Sequence, residues 1–119
     1  MTVKMEVNNN VATLSCEYAG DQVTKTYEAA IESGDTRNKM VLKAMIEALE
    51  HMTKPSHIII TCNSVHVSGA LSQHWPEKWR KAEWKRSNGE DIANKGQWIY
   101  LMELLGKHTS YEVRGDGNE

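Results

Sequence analysis

The sequence has 119 residues, of which 39% are hydrophobic and 25% charged, and its formal net charge is −2 at pH 7. This length suits one compact domain that buries a core without help from disulfides or metal ions. The composition is that of a soluble globular protein, and no apolar run approaches the roughly 18 residues that cross a bilayer. We therefore expect one domain over residues 1–119 and no membrane partner.

The N-terminus and the cysteine content favour a cytoplasmic protein. The first residues, "MTVKMEVNNN", lack the basic start, apolar stretch and cleavage site of an export signal. Cys16 and Cys62 are the only cysteines, and both lie in β-like apolar runs, where a thiol usually acts as a small buried hydrophobe. We expect two free thiols rather than a disulfide.

The first third of the chain is rich in β-branched residues and tyrosine. Three runs, "TVKMEV", "VATLSCEYA" and "QVTKTYEAAIE", predict three antiparallel strands. The Asn8-Asn9-Asn10 connection tolerates positive φ, and Gly20-Asp21 is expected to form a tight turn.

A long helix is predicted after "SGDT", starting at Arg37 and reaching Met52. Apolar residues follow the i, i+3, i+4, i+7 spacing at Leu42, Met45, Ile46, Leu49 and Met52. Asp35 or Thr36 is expected to cap this helix, and Pro55 marks the exit from it.

The second half of the chain predicts one buried strand, further helices and a last strand. Ile58 to Cys62 is a β-branched run typical of a central strand covered on both faces. A short helix is expected near Asn63 or Ser64, a second long helix over "KGQWIYLMELLGKH", and a last strand over "TSYEVRG". The order βββαβαααβ predicts a mixed α/β fold. Its five-stranded sheet has three antiparallel strands, then two parallel ones, with helices on both faces.

Three motifs match a known family pattern. "TRNKMVL", Thr36 to Leu42, resembles the family's T-x-N-x-M-E-L, and "TCNS", Thr61 to Ser64, resembles its S-T-D-S. The tryptophans follow a Trp-x3-Trp-x4-Trp-Lys pattern and then open a later helix, at Trp75, Trp79, Trp84 and Trp98. On these motifs the chain resembles type 1 ribonuclease H, the metal-dependent enzyme that cuts the RNA strand of an RNA–DNA hybrid. The resemblance implies a ribonuclease H-like fold.

The positions that match the family's metal-binding acids are not acidic in this chain. Ribonuclease H chemistry needs several carboxylates to hold two Mg²⁺ ions. The first-strand Asp aligns with Asn8, the helix Glu with Val41 and the fourth-strand Asp with Asn63. We therefore expect no metal site and no cofactor, with Mg²⁺ or Mn²⁺ relevant only if activity survives. Asn8 and Asn63 are either remnants of ligands or hydrogen-bond each other, with Val41 as an apolar filler.

A substitute ligand set is the alternative to lost hydrolysis. The family's fourth acid follows the last strand in a segment that begins V-K-G-H, where this chain has "VRGDGNE". Asp116 stands near the position of the family's catalytic His. An active nuclease would draw on substitute carboxylates, or on an acid from another chain; the candidates are Glu6, Asp35, Asp116 and Glu119. The five histidines lack the spacing of a zinc site.

A basic segment interleaves aromatic and cationic side chains. Between Pro76 and Arg86 there are five basic and two acidic residues, which suits contact with a phosphate backbone and stacking on a sugar or base. The candidate nucleic-acid contacts are Asn9, Thr36, Asn38, Lys78, Trp79, Lys81, Trp84, Lys85 and Arg86. The structural alternatives are a packed seam for the tryptophans and helix capping for Thr36 and Asn38.

The sequence thus favours a ribonuclease H-like domain that binds an RNA–DNA hybrid or A-form duplex RNA and has lost hydrolysis. An active metal-dependent ribonuclease H and a protein-interaction scaffold are the alternatives, because a fold does not fix a function. Because "VRGDGNE" ends the sequence, we expect the family's C-terminal helix to be missing. A homodimer is the expected cover for any sheet face or edge left open there.

Overall fold

The computed structural model describes residues 2–114, which form five strands and four helices in the predicted order. The elements are β1 (Thr2–Asn8), β2 (Val11–Tyr18), β3 (Asp21–Glu28), α1 (Arg37–Glu50), β4 (His57–Cys62), α2 (Val65–Ser72), α3 (Trp75–Lys81), α4 (Lys95–Leu105) and β5 (Ser110–Val113). None of the helices in this part of the chain combines the length and the apolar run that a bilayer crossing demands.

The five strands form one mixed sheet in the order β3-β2-β1-β4-β5. β1 pairs antiparallel with β2, and β2 with β3, whereas β1 pairs parallel with β4, and β4 with β5. In the middle of β1, Met5 faces Leu14 on one side and Ile60 on the other. The predicted arrangement of three antiparallel strands and two parallel ones is confirmed.

The described helices form one layer on one face of the sheet. Val3, Met5 and Val7 of β1 are buried, whereas the intervening Lys4 and Glu6 are exposed. Helix α1 packs on β1, β2 and β3, α2 packs on β4 and β5, and α4 packs on α1. The sequence predicts helices on both faces, but within residues 2–114 the second face carries none. That outer face is polar, with hydroxyl and charged side chains at alternate positions of β1 to β3.

Local hydrogen bonds set the ends of the elements near the sheet. Thr36 is the N-cap of α1, with its hydroxyl accepting from the Lys39 N–H at 3.2 Å. The second turn lies at Ala19 and Gly20, one residue earlier than predicted, with φ values of 54° and 86°. β3 ends at Glu28, short of the predicted Glu32, and the Ala29 N–H then donates to the Asn10 carbonyl at 2.8 Å.

The core lies between the sheet and the helices. Its largest fully buried side chains come from strands and helices alike, including Met5, Leu42, Ile60, Leu71 and Trp98. Helix α1 ends at Glu50 and α4 at Leu105, each shorter at its C-terminus than the periodic pattern predicts. Cys16 and Cys62 are both free thiols, as expected.

Candidate functional site

Three asparagine side chains meet where β1 and β4 end; we call Asn8, Asn9 and Asn63 the asparagine cluster. β1 and β4 are parallel neighbours, so their carboxyl ends lie at the same edge of the sheet. The Asn63 Nδ2 donates to Asn8 Oδ1 and to Asn9 Oδ1, each at 3.1 Å. The Asn9 backbone N–H donates to Asn63 Oδ1 at 2.9 Å. The hydrogen bond between Asn8 and Asn63, one of the two alternatives from the sequence, is present.

The orientation of the Asn63 amide follows from its partners. A backbone N–H can only donate, so the atom that faces the Asn9 N–H must be the Asn63 oxygen. The Asn63 nitrogen then faces the two other side-chain oxygens. Asn9 itself has φ 54°, a left-handed conformation that asparagine tolerates better than most residues. The cluster therefore fixes the β1–β2 turn onto the end of β4.

Val41 lies in α1 with no exposed surface, as part of the hydrophobic core. This agrees with its predicted role as an apolar filler, because a carboxylate at this position would leave water entirely. The start of α1 is joined to the start of α2 beside it. The Ser64 hydroxyl donates to Asn38 Oδ1 at 2.6 Å and accepts from the Val67 N–H at 3.1 Å. Asn38 thus links two helices instead of capping α1.

The donor set at this edge does not fit a pair of Mg²⁺ ions. Magnesium prefers charged oxygen ligands in near-octahedral geometry, whereas the cluster offers neutral amides already bonded to one another. Among the described residues, Glu6 is the one carboxylate on the groove formed here with Asn8, Thr13, Thr61 and Asn63. Within residues 2–114, no three His, Cys, Asp or Glu side chains come together to hold a metal ion.

The other proposed substitute ligands do not complete a site among the described residues. The Asp35 side chain is 3% exposed and accepts hydrogen bonds from the Glu32 N–H at 3.0 Å and the Lys43 ammonium at 2.9 Å. The Glu32 N–H, followed by Lys43, lowers the pKa of Asp35 below its ordinary value. Asp35 therefore joins the loop before α1 to the helix. Asp116 and Glu119 lie outside the described residues.

The basic segment, residues 75–86, comprises α3 and the turn that follows it. The rings of Trp75 and Trp79 have centroids 6.2 Å apart, those of Trp79 and Trp84 are also 6.2 Å apart, and Trp79 meets the buried Trp98 edge-on at 5.3 Å. Trp75, Trp79 and Trp84 are half-buried against the core. These contacts favour the packing alternative for the tryptophans. They hold the segment firmly in place for its cations.

Most cations of the basic segment point into solvent. Lys78, Arg80, Lys81 and Arg86 are exposed, and none of them has an acidic partner among the residues that the structure describes. Arg80 is one of the five basic residues of this segment, but it was not predicted as a contact. Its place between Lys78 and Lys81 in "EKWRK" was the signal available.

Lys85 differs from the other cations because it is already paired. Its ammonium lies 2.9 Å from Asp91 Oδ1, and the two residues also form a backbone bridge. Lys95 approaches the same carboxylate at 3.7 Å. The hydrogen bond from Lys85 is the main reason that the pKa of Asp91 is lowered. Lys85, predicted as a nucleic-acid contact, therefore has less charge to offer than Arg86.

A family model and individual sequence relatives of this chain indicate the same protein family. Residues 6–113 match the family model for RNase H. Ribonuclease H of Caldicellulosiruptor saccharolyticus is 36% identical over 78 residues, which cover 66% of this chain and 54% of that protein. Ribonuclease H of a Thermoanaerobacter species is 33% identical over 95 residues, covering 80% of this chain and 61% of that protein. The chain thus spans between half and two thirds of the length of these relatives.

Two solved structures share the fold at low sequence identity. LC9-RNase H1, described as a type 1 RNase H with the type 2 active-site motif, superposes with a TM-score of 0.70 and 22% identity. The match covers 95% of this chain and 62% of that one. A foamy viral protease-reverse transcriptase bound to an RNA/DNA hybrid gives a TM-score of 0.69 at 10% identity, covering 94% of this chain and 17% of the viral one. These likenesses support the fold.

Proposed function

The chain belongs to the ribonuclease H family, and we propose that it binds duplex nucleic acid without hydrolysing it. The observation that carries this proposal is the asparagine cluster. It places mutually hydrogen-bonded neutral amides where the family resemblance calls for metal-binding acids. Two-metal hydrolysis requires carboxylates that hold both ions against the scissile phosphate. Hydrolysis is therefore expected to be absent or very slow.

Neutral amides in place of the metal-binding acids also make divalent cations unnecessary for binding nucleic acid. Unneutralised carboxylates repel a phosphate, and metal ions normally cancel that repulsion. Neutral amides impose no such repulsion, and within residues 2–114 only Glu6 adds a negative charge to this groove. We therefore expect the affinity for nucleic acid to be the same in Mg²⁺ and in EDTA at equal ionic strength.

The proposed partner is an RNA–DNA hybrid or A-form duplex RNA, recognised through shape and phosphate contacts. The four exposed and unpaired cations of the basic segment support this choice. The foamy viral protease-reverse transcriptase, which shares the fold, was solved with an RNA/DNA hybrid, and this agrees with the proposed partner. Because the whole chain carries a net charge of −2, binding depends on this local patch and should weaken steeply with salt.

The test measures binding and cleavage in one sample. Labelled RNA–DNA hybrid, duplex RNA and duplex DNA are incubated with the protein across salt concentrations, in Mg²⁺, Mn²⁺ or EDTA. We expect salt-sensitive binding to hybrid or duplex RNA with no cleavage. Metal-dependent cleavage that is lost in Asp116→Ala would instead establish the second candidate function, a nuclease on substitute carboxylates. Failure to bind any duplex at low salt would leave the protein-interaction scaffold.

We further propose a single cytoplasmic domain, which the two free thiols support. A homodimer through the outer sheet face or the β5 edge belongs to the scaffold alternative. The polar outer face gives such a dimer little hydrophobic driving force, so the exposed edge of β5 is the better candidate.

A further inference from the structure

A second groove lies at the end of the sheet opposite the asparagine cluster. Helix α1 ends at Glu50, whereas the β2–β3 hairpin continues to its turn at Ala19 and Gly20. The inner face of the hairpin is therefore not covered by the helix over its last residues. The segment that connects α1 to β4 runs beside this uncovered strip and closes it on one side.

The floor of this groove is apolar. Val3, Leu14, Cys16 and Val23 line it from the strands, and Met52 lines it from the segment after α1. Its volume is about 340 Å³, within the range of sites that hold small ligands in proteins. The aliphatic and thiol side chains of the floor would gain from contact with a hydrocarbon body.

The rim of the groove is cationic. Lys25, Lys54 and His51 line it, and no Asp or Glu side chain in the described part of the chain does. Neither lysine forms an ion pair with an acid in the described part of the chain, although Lys54 lies 5.8 Å from the centre of the Tyr18 ring. His51 is occupied on the helix side, where its Nδ1 lies 2.9 Å from the Glu47 carbonyl oxygen and 4.0 Å from the Glu47 carboxylate. Two unpaired ammonium groups thus stand beside an apolar floor.

We propose that this groove binds a small amphipathic monocarboxylate. Its hydrocarbon body lies on the floor, and its carboxylate pairs with Lys25 and Lys54. Charge and apolarity must occur in the same molecule, because the groove offers a cationic rim and an apolar floor together. This site is separate from the asparagine cluster and from the basic segment, and it does not depend on the nucleic-acid proposal.

Octanoate is the probe, with acetate and 1-octanol as its two halves. In a two-dimensional amide NMR titration, octanoate should shift signals from the ends of β2 and β3 and from residues 51–56, with a dissociation constant of about 1 mM or tighter. Acetate and 1-octanol should each bind at least tenfold more weakly. Equal binding of 1-octanol, or shifts spread over the outer sheet face, would overturn the proposal, as would the absence of any shift.

Variants and a thiol readout complete the test. The double variant Lys25→Met/Lys54→Met should weaken octanoate at least tenfold, whereas Lys4→Met, an exposed lysine on the outer face, should leave its affinity unchanged. Octanoate should also slow the reaction of the half-buried Cys16 with a thiol reagent at least threefold, with the buried Cys62 as the internal reference. Equal octanoate affinity in the double variant and in the wild type would refute the assigned cation pair.

Discussion

The asparagine cluster and the basic segment, both part of the proposed nucleic-acid interface, differ in how their polar and charged side chains are arranged. In the cluster, polar side chains satisfy one another and carry no charge. In the basic segment, the tryptophan rings pack against one another and the charged side chains are left exposed. Binding a duplex needs only the second arrangement, because phosphate contacts are electrostatic and tolerate varied geometry. Hydrolysis needs charged ligands at fixed positions, which the cluster does not supply.

The two regions are also held in place by different kinds of contact. Asn63 connects β1, the first turn and β4 through hydrogen bonds alone, at a half-exposed edge. The basic segment is fixed by Trp79, which contacts three other tryptophan rings. Loss of one side chain should therefore affect stability in both regions, yet it should affect duplex affinity mainly in the second.

The largest expected effect is at Val41. Val41→Glu introduces a carboxylate into a fully buried position without a partner, which should lower the free energy of unfolding by about 3 kcal/mol or more. Urea unfolding in EDTA measures this loss. Val41→Ala, the control for lost packing, should cost about 2 kcal/mol. A Val41→Glu variant as stable as the wild type would show that this position is open to water or ions, contrary to the structure.

Asn63 tests the cluster itself. Asn63→Ala removes three hydrogen bonds and should cost about 1–2 kcal/mol in unfolding free energy. Asn63→Asp should cost less, because it keeps the acceptor for the Asn9 N–H and because the other two amides can rotate to donate. In EDTA, the Asn63→Asp variant should instead bind the hybrid more weakly than the wild type, because the new charge repels phosphate. In Mg²⁺ its affinity for the hybrid should recover, because a cation then neutralises that charge. Equal hybrid affinities for Asn63→Asp in EDTA and Mg²⁺ would contradict the proposed role of neutral amides.

The sequence predicts the order of elements because its patterns are local. The helical spacing from Leu42 onward indicates the buried face of α1, and the β-branched run of β4 indicates a buried strand. Thr36 is recognisable as a helix cap from its residue type and its position before the helix. Which face of the sheet the helices cover is a different matter. The β4 run reads as covered on both faces, but its residues are alternately buried and half-buried. An apolar side chain such as Ile59 is tolerated on a partly exposed face.

For the candidate site, the sequence indicates residue types and positions more readily than which side chains pair with each other. The asparagines at positions 8 and 63 could be placed by motif, and their parallel strands bring them together. The pairing of Lys85 with Asp91 could not be predicted in this way. It forms across the turn at Ser87, Asn88 and Gly89, where the Arg86 N–H donates to the Glu90 carbonyl at 2.7 Å and Gly89 has a φ value of 89°. The Asn88-Gly89 dipeptide is typical of such a turn, but residue type alone does not show which side chains will pair across it.

The ion pair between Lys85 and Asp91 gives two adjacent cations of the basic segment, Lys85 and Arg86, different expected contributions to binding. Arg86→Met should weaken hybrid binding by about threefold to tenfold near 0.1 M salt and reduce the salt slope by about one, as expected for one lost phosphate contact. Lys85→Met should have a smaller effect, because Asp91 already neutralises Lys85. Fluorescence anisotropy at several salt concentrations measures both variants. A larger loss for Lys85→Met than for Arg86→Met would mean that the pair opens when the duplex binds.

The smallest effect concerns pH and lies outside both regions. His108 Nδ1 accepts the Ser56 N–H at 3.1 Å, and burial lowers the pKa of His108 below its ordinary value of 6.5. The unfolded chain therefore binds this proton more readily than the folded one, so stability should fall as pH drops below about 6.5, until the pH is below the folded pKa. His108→Asn, whose side-chain oxygen can accept the same N–H without titrating, should flatten the difference in unfolding free energy between pH 7 and pH 5. Duplex affinity in the two proteins should change with pH in parallel. If His108→Asn altered only the pH dependence of binding, the link between His108 and stability would be wrong.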